Sequence, residues 1–234
     1  MKDSPRKEIL NKIAHALGKI ELAHPVRVGI DGMSASGKTV FADELAGVLH
    51  EKGKRVVRAG LDGFHNPPEI RHRQGPMSVE GYVEDSFDYS AVREKVLQPL
   101  GPGGDRRYAP EIFDHHRGEA RSVEFKEAPE EAFLLFEGVM LFRKELIEFF
   151  DFRILVMCSP QVILERAKVR DLAHFGDMKT LLEKYQNRFI PGQKKYLSEN
   201  QPAQVADLIF FNDDPDFPNL SLIPTDPPSV REKL

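Results

Sequence analysis

Eight consecutive residues, Gly32-Met33-Ser34-Ala35-Ser36-Gly37-Lys38-Thr39, carry two glycines, a lysine and a hydroxyl at the spacing of a phosphate-binding loop. Glycine lets a backbone wrap a phosphate chain closely and turn successive N–H groups inward. A helix starting near Lys38 would add unpaired amides and a partial positive charge at the same point. Lys38 brings a full charge for the β- and γ-phosphates, and the Thr39 hydroxyl can ligate Mg²⁺. At ordinary glycine usage, four such fixed positions match by accident in a chain this long about once in a hundred. The predicted nucleotide contacts are Gly32, Ser34, Ala35, Ser36, Gly37, Lys38, Thr39 and Val40. A glycine turn with an exposed lysine is the bland alternative; it does not account for the apolar strand before the loop and the amphipathic helix after it.

Phosphoryl transfer to a hydroxyl also needs a carboxylate to orient and accept the proton, and an acid near the metal. Asp62 ends the run Val56-Val57-Arg58-Ala59-Gly60-Leu61, and Glu137 ends Phe133-Leu134-Leu135-Phe136. Asp62 suits the first task and Glu137 the second, with the two assignments exchangeable at this level. Either could instead cap a following turn. Asp31, directly before the loop, reads as structural. Arg166 and Arg170 are four residues apart, so on a helix they share one face and could both reach a transferring phosphate. With Lys168 they could equally form a solvated basic stripe. His65, His115 and His116 lack a third ligand at diagnostic spacing, so zinc is not expected; His116 is a candidate for hydrogen bonding to substrate. Asp85 and Asp88 could cap a helix starting near Tyr89. Arg71-His72-Arg73-Gln74 could meet an anionic substrate, although loops often carry such charges.

The elements that must hold these groups read as alternating strands and helices. An amphipathic helix covers about 5–20, a strand Val26–Asp31, and a helix runs from Thr39 to Lys52-Gly53-Lys54. Further strands are predicted at Arg55–Leu61, Ala132–Phe136, Phe152–Met157 and Val205–Phe211. Helices are predicted at Tyr89–Leu100, Gln161–Leu172 and Met178–Phe189. Nearly unbroken apolar strands alternating with helices predict one α/β domain, a five-stranded parallel sheet with helices on both faces and a lid. The core spans about 26–212. Gln98–Arg121 is too rich in turn residues for regular structure, and the Pro-rich tail 213–234 reads as a loosely attached extension.

Bulk properties set the outer limits. No apolar run approaches the roughly 20 residues that span a membrane, and the first residues lack the apolar core of a secretion signal. The net charge of −4 gives no reason to expect nucleic acid or an acidic membrane as partner. One cysteine, Cys158, rules out an internal disulfide and reads as a buried thiol. The expectation is a cytoplasmic protein of undetermined oligomeric state.

Three segments together carry a family resemblance. Val28-Gly29-Ile30-Asp31-Gly32 leading into Ser36-Gly37-Lys38-Thr39, then Leu61-Asp62-Gly63-Phe64-His65, then Leu135-Phe136-Glu137-Gly138-Val139, resemble the uridine kinase and phosphoribulokinase group. The likeness to bacterial uridine kinase-like proteins extends through Glu80-Gly81-Tyr82, Asp85-Ser86-Phe87-Asp88-Tyr89, the segment 99–108, and Arg188-Phe189-Ile190-Pro191-Gly192-Gln193, covering about 26–213. The resemblance implies a P-loop kinase using ATP and Mg²⁺, with a uridine-like nucleoside as acceptor. It implies Asp62 as general base, Glu137 near the metal, Asp85 on ribose hydroxyls, Tyr108 and His116 at the base, and Arg166 and Arg170 as lid arginines. The sequence departs from uridine kinases at Gly63-Phe64-His65 and in the spacing from Tyr108 to His115-His116-Arg117, so uridine itself is expected to be a poor substrate. The alternatives are a kinase for another small alcohol (pantothenate, a riboside or a sugar acid) and a non-catalytic ATP-binding regulator.

Overall fold

All seven residues of Val26–Gly32 are buried, and six of the seven in Ala132–Gly138. Runs like these are strands covered on both faces. In the computed structural model, which describes residues 4–115 and 117–222, they form the middle of the main sheet. The strands are β1 (Val26–Gly32), β2 (Arg55–Gly60), β3 (Ala132–Gly138), β4 (Phe152–Met157), β5 (Leu208–Phe211) and β6 (Asn219–Leu222). Their spatial order is β2-β3-β1-β4-β5-β6. β1 lies parallel to β3, with Val28 opposite Leu135, and parallel to β4, with Val28 opposite Phe152. The chain therefore winds to both sides of β1, and the crevice at such a switch point is where open α/β sheets bind ligands.

The expected five parallel strands are present, but the sheet has six strands among the described residues. β6 runs antiparallel to β5, with Leu220 opposite Phe210. Asp214 makes the reversal possible: its Oδ1 accepts from the Asp216 and Phe217 amides at 2.9 and 3.3 Å, turning the chain back. Part of the supposed loose tail is thus paired into the sheet; residues 223–234 lie outside the described residues.

Six longer helices complete the frame: α1 (Pro5–Leu17), α2 (Lys38–Glu51), α3 (Val79–Asp85), α4 (Pro160–Arg170), α5 (Met178–Lys184) and α6 (Ile190–Asn200). Ser4 caps α1, its hydroxyl accepting from the Lys7 amide at 3.3 Å, and Pro5 takes the first helical position. On one sheet face α1 and α2 bury Leu10, Ile13 and Leu17 with Phe41, Leu45 and Leu49 against Val28, Ile30 and Leu135. Truncating a fully buried leucine such as Leu45 to alanine would cost about 2–5 kcal/mol. The other face is covered by Phe64, Tyr82, Val92, Leu97, Phe142 and Tyr196. A third, smaller cluster joins Ile163 and Ala167 of α4 to Leu181, Tyr185 and Ala35, so the lid packs directly on the phosphate loop.

Sequence periodicity stops short at Pro191, yet α5 and α6 form one continuous rod. A π-helical turn, Tyr185–Phe189, links them and places Pro191 in the first turn of α6, where a missing N–H costs little. The turn-rich stretch after Gln98 holds two short antiparallel ladders, Arg107–Tyr108 with Lys126–Glu127 and Phe113–Asp114 with Glu119–Ala120.

Candidate active site

The five parallel strands all end on one edge of the sheet, and the candidate residues gather there. The loop follows β1, Asp62 follows β2 in the 3₁₀ turn Leu61–Phe64, Glu137 sits near the end of β3, and Asn212 directly follows β5. Gly37 precedes α2 in a left-handed conformation (φ 91°), and a Cβ there would lie 2.6 Å from Asn212 Nδ2. Both features require glycine. Asn212 Nδ2 donates to the Ser36 carbonyl at 2.8 Å, fastening the loop from behind. Asp31 is fully buried and accepts from the Gly32 amide at 2.6 Å and from the Tyr196 hydroxyl. It anchors the start of the loop; burial pushes its carboxyl upward.

At the mouth of the loop, Lys38 Nζ donates to the Met33 carbonyl at 2.9 Å. Burial lowers its pKa, while Glu137, Asp31 and Asp62 all support its charge. Thr39 Oγ1 donates to Glu137 Oε1 at 3.1 Å. Burial raises the Glu137 carboxyl and Lys38 opposes this. A hydroxyl and a carboxylate side by side are the hard oxygen donors that Mg²⁺ prefers. Ser36 Oγ is buried and has no protein partner among the described residues, as fits a hydroxyl meant for a phosphate oxygen.

Both predicted lid arginines reach the loop, by different routes. Arg170 Nη2 donates to Ser34 Oγ at 3.1 Å, and the same guanidinium is held by Asp171 at 2.6 and 2.9 Å. Arg166 instead donates to the Ser36 carbonyl at 3.3 Å and the Asn212 carbonyl at 2.7 Å. A cavity of about 440 Å³ opens beside them, lined by Gly37, Thr39, Val40, Arg166, Asn212 and Pro215 among others. Val40 is 57% exposed, an apolar surface on which a base could lie.

The acceptor side is less uniform. Asp62 is exposed, and its carbonyl pairs with His65 Nδ1 at 2.9 Å. Gly63 packs so tightly that a Cβ would lie 2.7 Å from Glu111 Cβ, and its carbonyl accepts from the Ile112 amide at 2.8 Å. His65 stacks on His115 with ring centroids 5.5 Å apart. The Asp85 side chain is turned inward, taken up by Arg73 and by Gln74 Nε2 at 2.7 Å. Asp88, not Asp85, caps the following helix, accepting from the Ala91 amide at 2.8 Å. Tyr108 is 7% exposed and packs within the second-face core. His116 lies outside the described residues.

Sequence reasoning did not find Asn212, Asp171, Tyr185 or Gln193. Asn212, the first polar residue after an apolar strand, and Asp171, beside Arg170, both carried a readable signal. Gln193 lies in a run that carries the family resemblance, but nothing there shows its role: its Oε1 accepts from the Ser34 amide at 2.9 Å across 159 residues.

With this geometry in hand, a sequence model of the phosphoribulokinase / uridine kinase family matches residues 27–212. The chain belongs to that family. It is 31% identical to "Uridine-cytidine kinase B" of Dictyostelium discoideum over 176 residues, 74% of this chain and 70% of that protein. It is 25% identical to "Uridine-cytidine kinase 2-B" of Danio rerio over 85% of this chain and 82% of that protein. A solved structure described as a possible uridine kinase from Bacillus stearothermophilus shares the fold, with a TM-score of 0.67, 24% identity, and coverage of 87% of this chain and 96% of the other. The chain is accordingly a phosphotransferase with an alcohol group as acceptor, in a family that generally uses ATP and Mg²⁺. Among the described residues no helix is long and apolar enough to cross a membrane.

Proposed function

We infer that the protein transfers the γ-phosphate of ATP to a hydroxyl of a small molecule, with the phosphates held over Gly32–Thr39. The observation that carries this reading is the cluster of Lys38, the Thr39–Glu137 pair and the unpartnered Ser36 hydroxyl at one loop. Loop amides and Lys38 bind the phosphate chain, and Val40 with Arg166 borders the remainder of the nucleotide. Thr39 and Glu137 would hold Mg²⁺, which when bound neutralises phosphate charge. Asp62 takes the proton of the acceptor hydroxyl as that oxygen bonds to the γ-phosphorus and the bond to the β,γ-bridging oxygen breaks, releasing ADP. Arg170, kept near Ser34 by Asp171, stabilises charge on the transferring group. Asp62 is exposed, and with Thr39 and Glu137 already paired as oxygen donors for the metal, it is assigned the role of base.

Names of relatives point to a nucleoside as acceptor. Asp85 would then act on the sugar through Arg73 and Gln74, and His116 is the candidate for the base, Tyr108 being packed into the core. The test is a panel of nucleosides, vitamins and sugars incubated with ATP and Mg²⁺ and followed by mass spectrometry. Gain of one phosphate by a nucleoside supports the full reading; gain by another alcohol alone keeps the kinase and removes the nucleoside.

A further inference from the structure

Arg71, His72, Lys184 and Arg188 meet beside the proposed acceptor face, and among the described residues none of them has a salt bridge to an acid. Arg188 is 6% exposed and lies over the Tyr82 and Phe189 rings; among the described residues its guanidinium donates only at long range, to the Ser78 carbonyl at 3.4 Å and the Arg71 carbonyl at 3.5 Å. Arg71 Nε and His72 Nδ1 are buried and lack any hydrogen-bond partner among the described residues. Among the described residues, Lys184 donates only to the Pro76 carbonyl, at 2.8 Å. Burial and mutual repulsion push His72, Lys184 and Arg188 below their ordinary values, and burial does the same to Arg71, with Glu69 acting in the opposite sense on Arg71. The contrast with Arg73, two residues on, is direct: Arg73 has Asp85. Buried donors and like charges without a counter-ion are costly unless an anion completes them.

One chain of contacts and one electrostatic link tie this cluster to the proposed reaction centre. Arg188 lies over the Tyr82 ring at 5.5 Å; the Tyr82 hydroxyl accepts from Gln193 Nε2 at 3.0 Å, and Gln193 in turn holds the Ser34 amide. On the other side, His65 Nδ1 pairs with the Asp62 carbonyl at 2.9 Å, and burial together with nearby Arg71 pushes the imidazole below its ordinary value. We propose that Arg71, His72, Lys184 and Arg188 form an oxyanion subsite, and that the alcohol this protein phosphorylates carries a phosphate or carboxylate group bound there. This rests on the kinase reading above and narrows its acceptor from a neutral to an anionic alcohol.

The test has two arms on the full chain. In the first, inorganic phosphate is titrated while the His72 ring resonances are followed by NMR, assigned with His72→Gln. A saturable shift is expected in the wild type, lost in Arg71→Gln and Arg188→Gln. Arg71 is half-buried, so its variant stands in if Arg188→Gln fails to fold, as thermal melting would reveal. In the second arm, phosphorylation by ATP is compared for ribose against ribose 5-phosphate and for glycerol against glycerate. At least a tenfold higher kcat/KM for an anionic member is expected, lost in Arg71→Gln; the favoured pair tells phosphate from carboxylate. Equal use of neutral and anionic members, or an unmoved His72, overturns the subsite and leaves the kinase standing. Phosphate binding that leaves the KM of the anionic acceptor unchanged also overturns it. If no alcohol gains phosphate at all, the kinase reading fails and this assignment falls with it.

Discussion

The proposed nucleotide half of the strand-end edge and the proposed acceptor half solve the same problem with different degrees of completeness. Around the loop, nearly every polar group has a partner within the protein: Asp31 with Tyr196, Arg170 with Asp171, Asn212 with Ser36. The exception, Ser36 Oγ, points to a phosphate. Across the edge, Arg71, His72 and Arg188 are left short of partners, and Gly63 allows Glu111 to press close to the turn that bears Asp62. The first half is pre-organised for one ligand that all such kinases share.

Substitutions can break the comparison on either side. Lys38→Ala removes the full charge at the loop and should lower kcat by about 10³-fold or more, read in a coupled ADP assay. Asp62→Asn should lower kcat by about 10²–10⁴-fold while ATP affinity by calorimetry stays put. A loss confined to ATP affinity would move Asp62 out of the acceptor half. Gly63→Val forces the 110–112 segment away and should cost about tenfold in kcat/KM for the acceptor with the KM for ATP unchanged. An equal loss for both substrates would show that the two halves are not separable.

The smallest effect concerns stability. Arg170 and the Tyr185 hydroxyl hold the Asp171 carboxyl below its ordinary value against the cost of burial. A depressed folded pKa gives stability that is present above the unfolded value and lost as pH falls through the folded one. Asp171→Asn should therefore melt slightly lower at pH 7, by under about 1 kcal/mol because Arg170 is largely exposed. The gap should close as the pH drops below the usual aspartate range, which melting curves across pH would check.

What could be read from the sequence follows the same division. The loop is legible because its chemistry lies in eight adjacent residues between an apolar strand and an amphipathic helix. Asp62 and Glu137 are legible because strand ends in a parallel sheet share one edge. β6 was not, since its pairing depends on an Asp214 turn inside a stretch dominated by prolines. The continuous α5–α6 rod was hidden by Pro191, whose missing donor a π-turn accommodates. Beyond Asp62, the proposed acceptor half was illegible for a topological reason: residues 62–73, 82–88, 108–115 and 184–193 belong to separate elements, and no local spacing records their meeting. The cluster Arg71–Gln74 was visible as charge, but only the structure divides it into an Arg73 paired with Asp85 and an Arg71 with no salt bridge among the described residues.

The central claim is that the loop passes a phosphate from ATP to an alcohol. The direct measurement is mass spectrometry of mixed alcohols, neutral and anionic, incubated with ATP, Mg²⁺ and either the wild type or Lys38→Ala. A product heavier by one phosphate with the wild type, and none with the variant, is the predicted result. No phosphorylated alcohol with the wild type, or equal product from the variant, would contradict it.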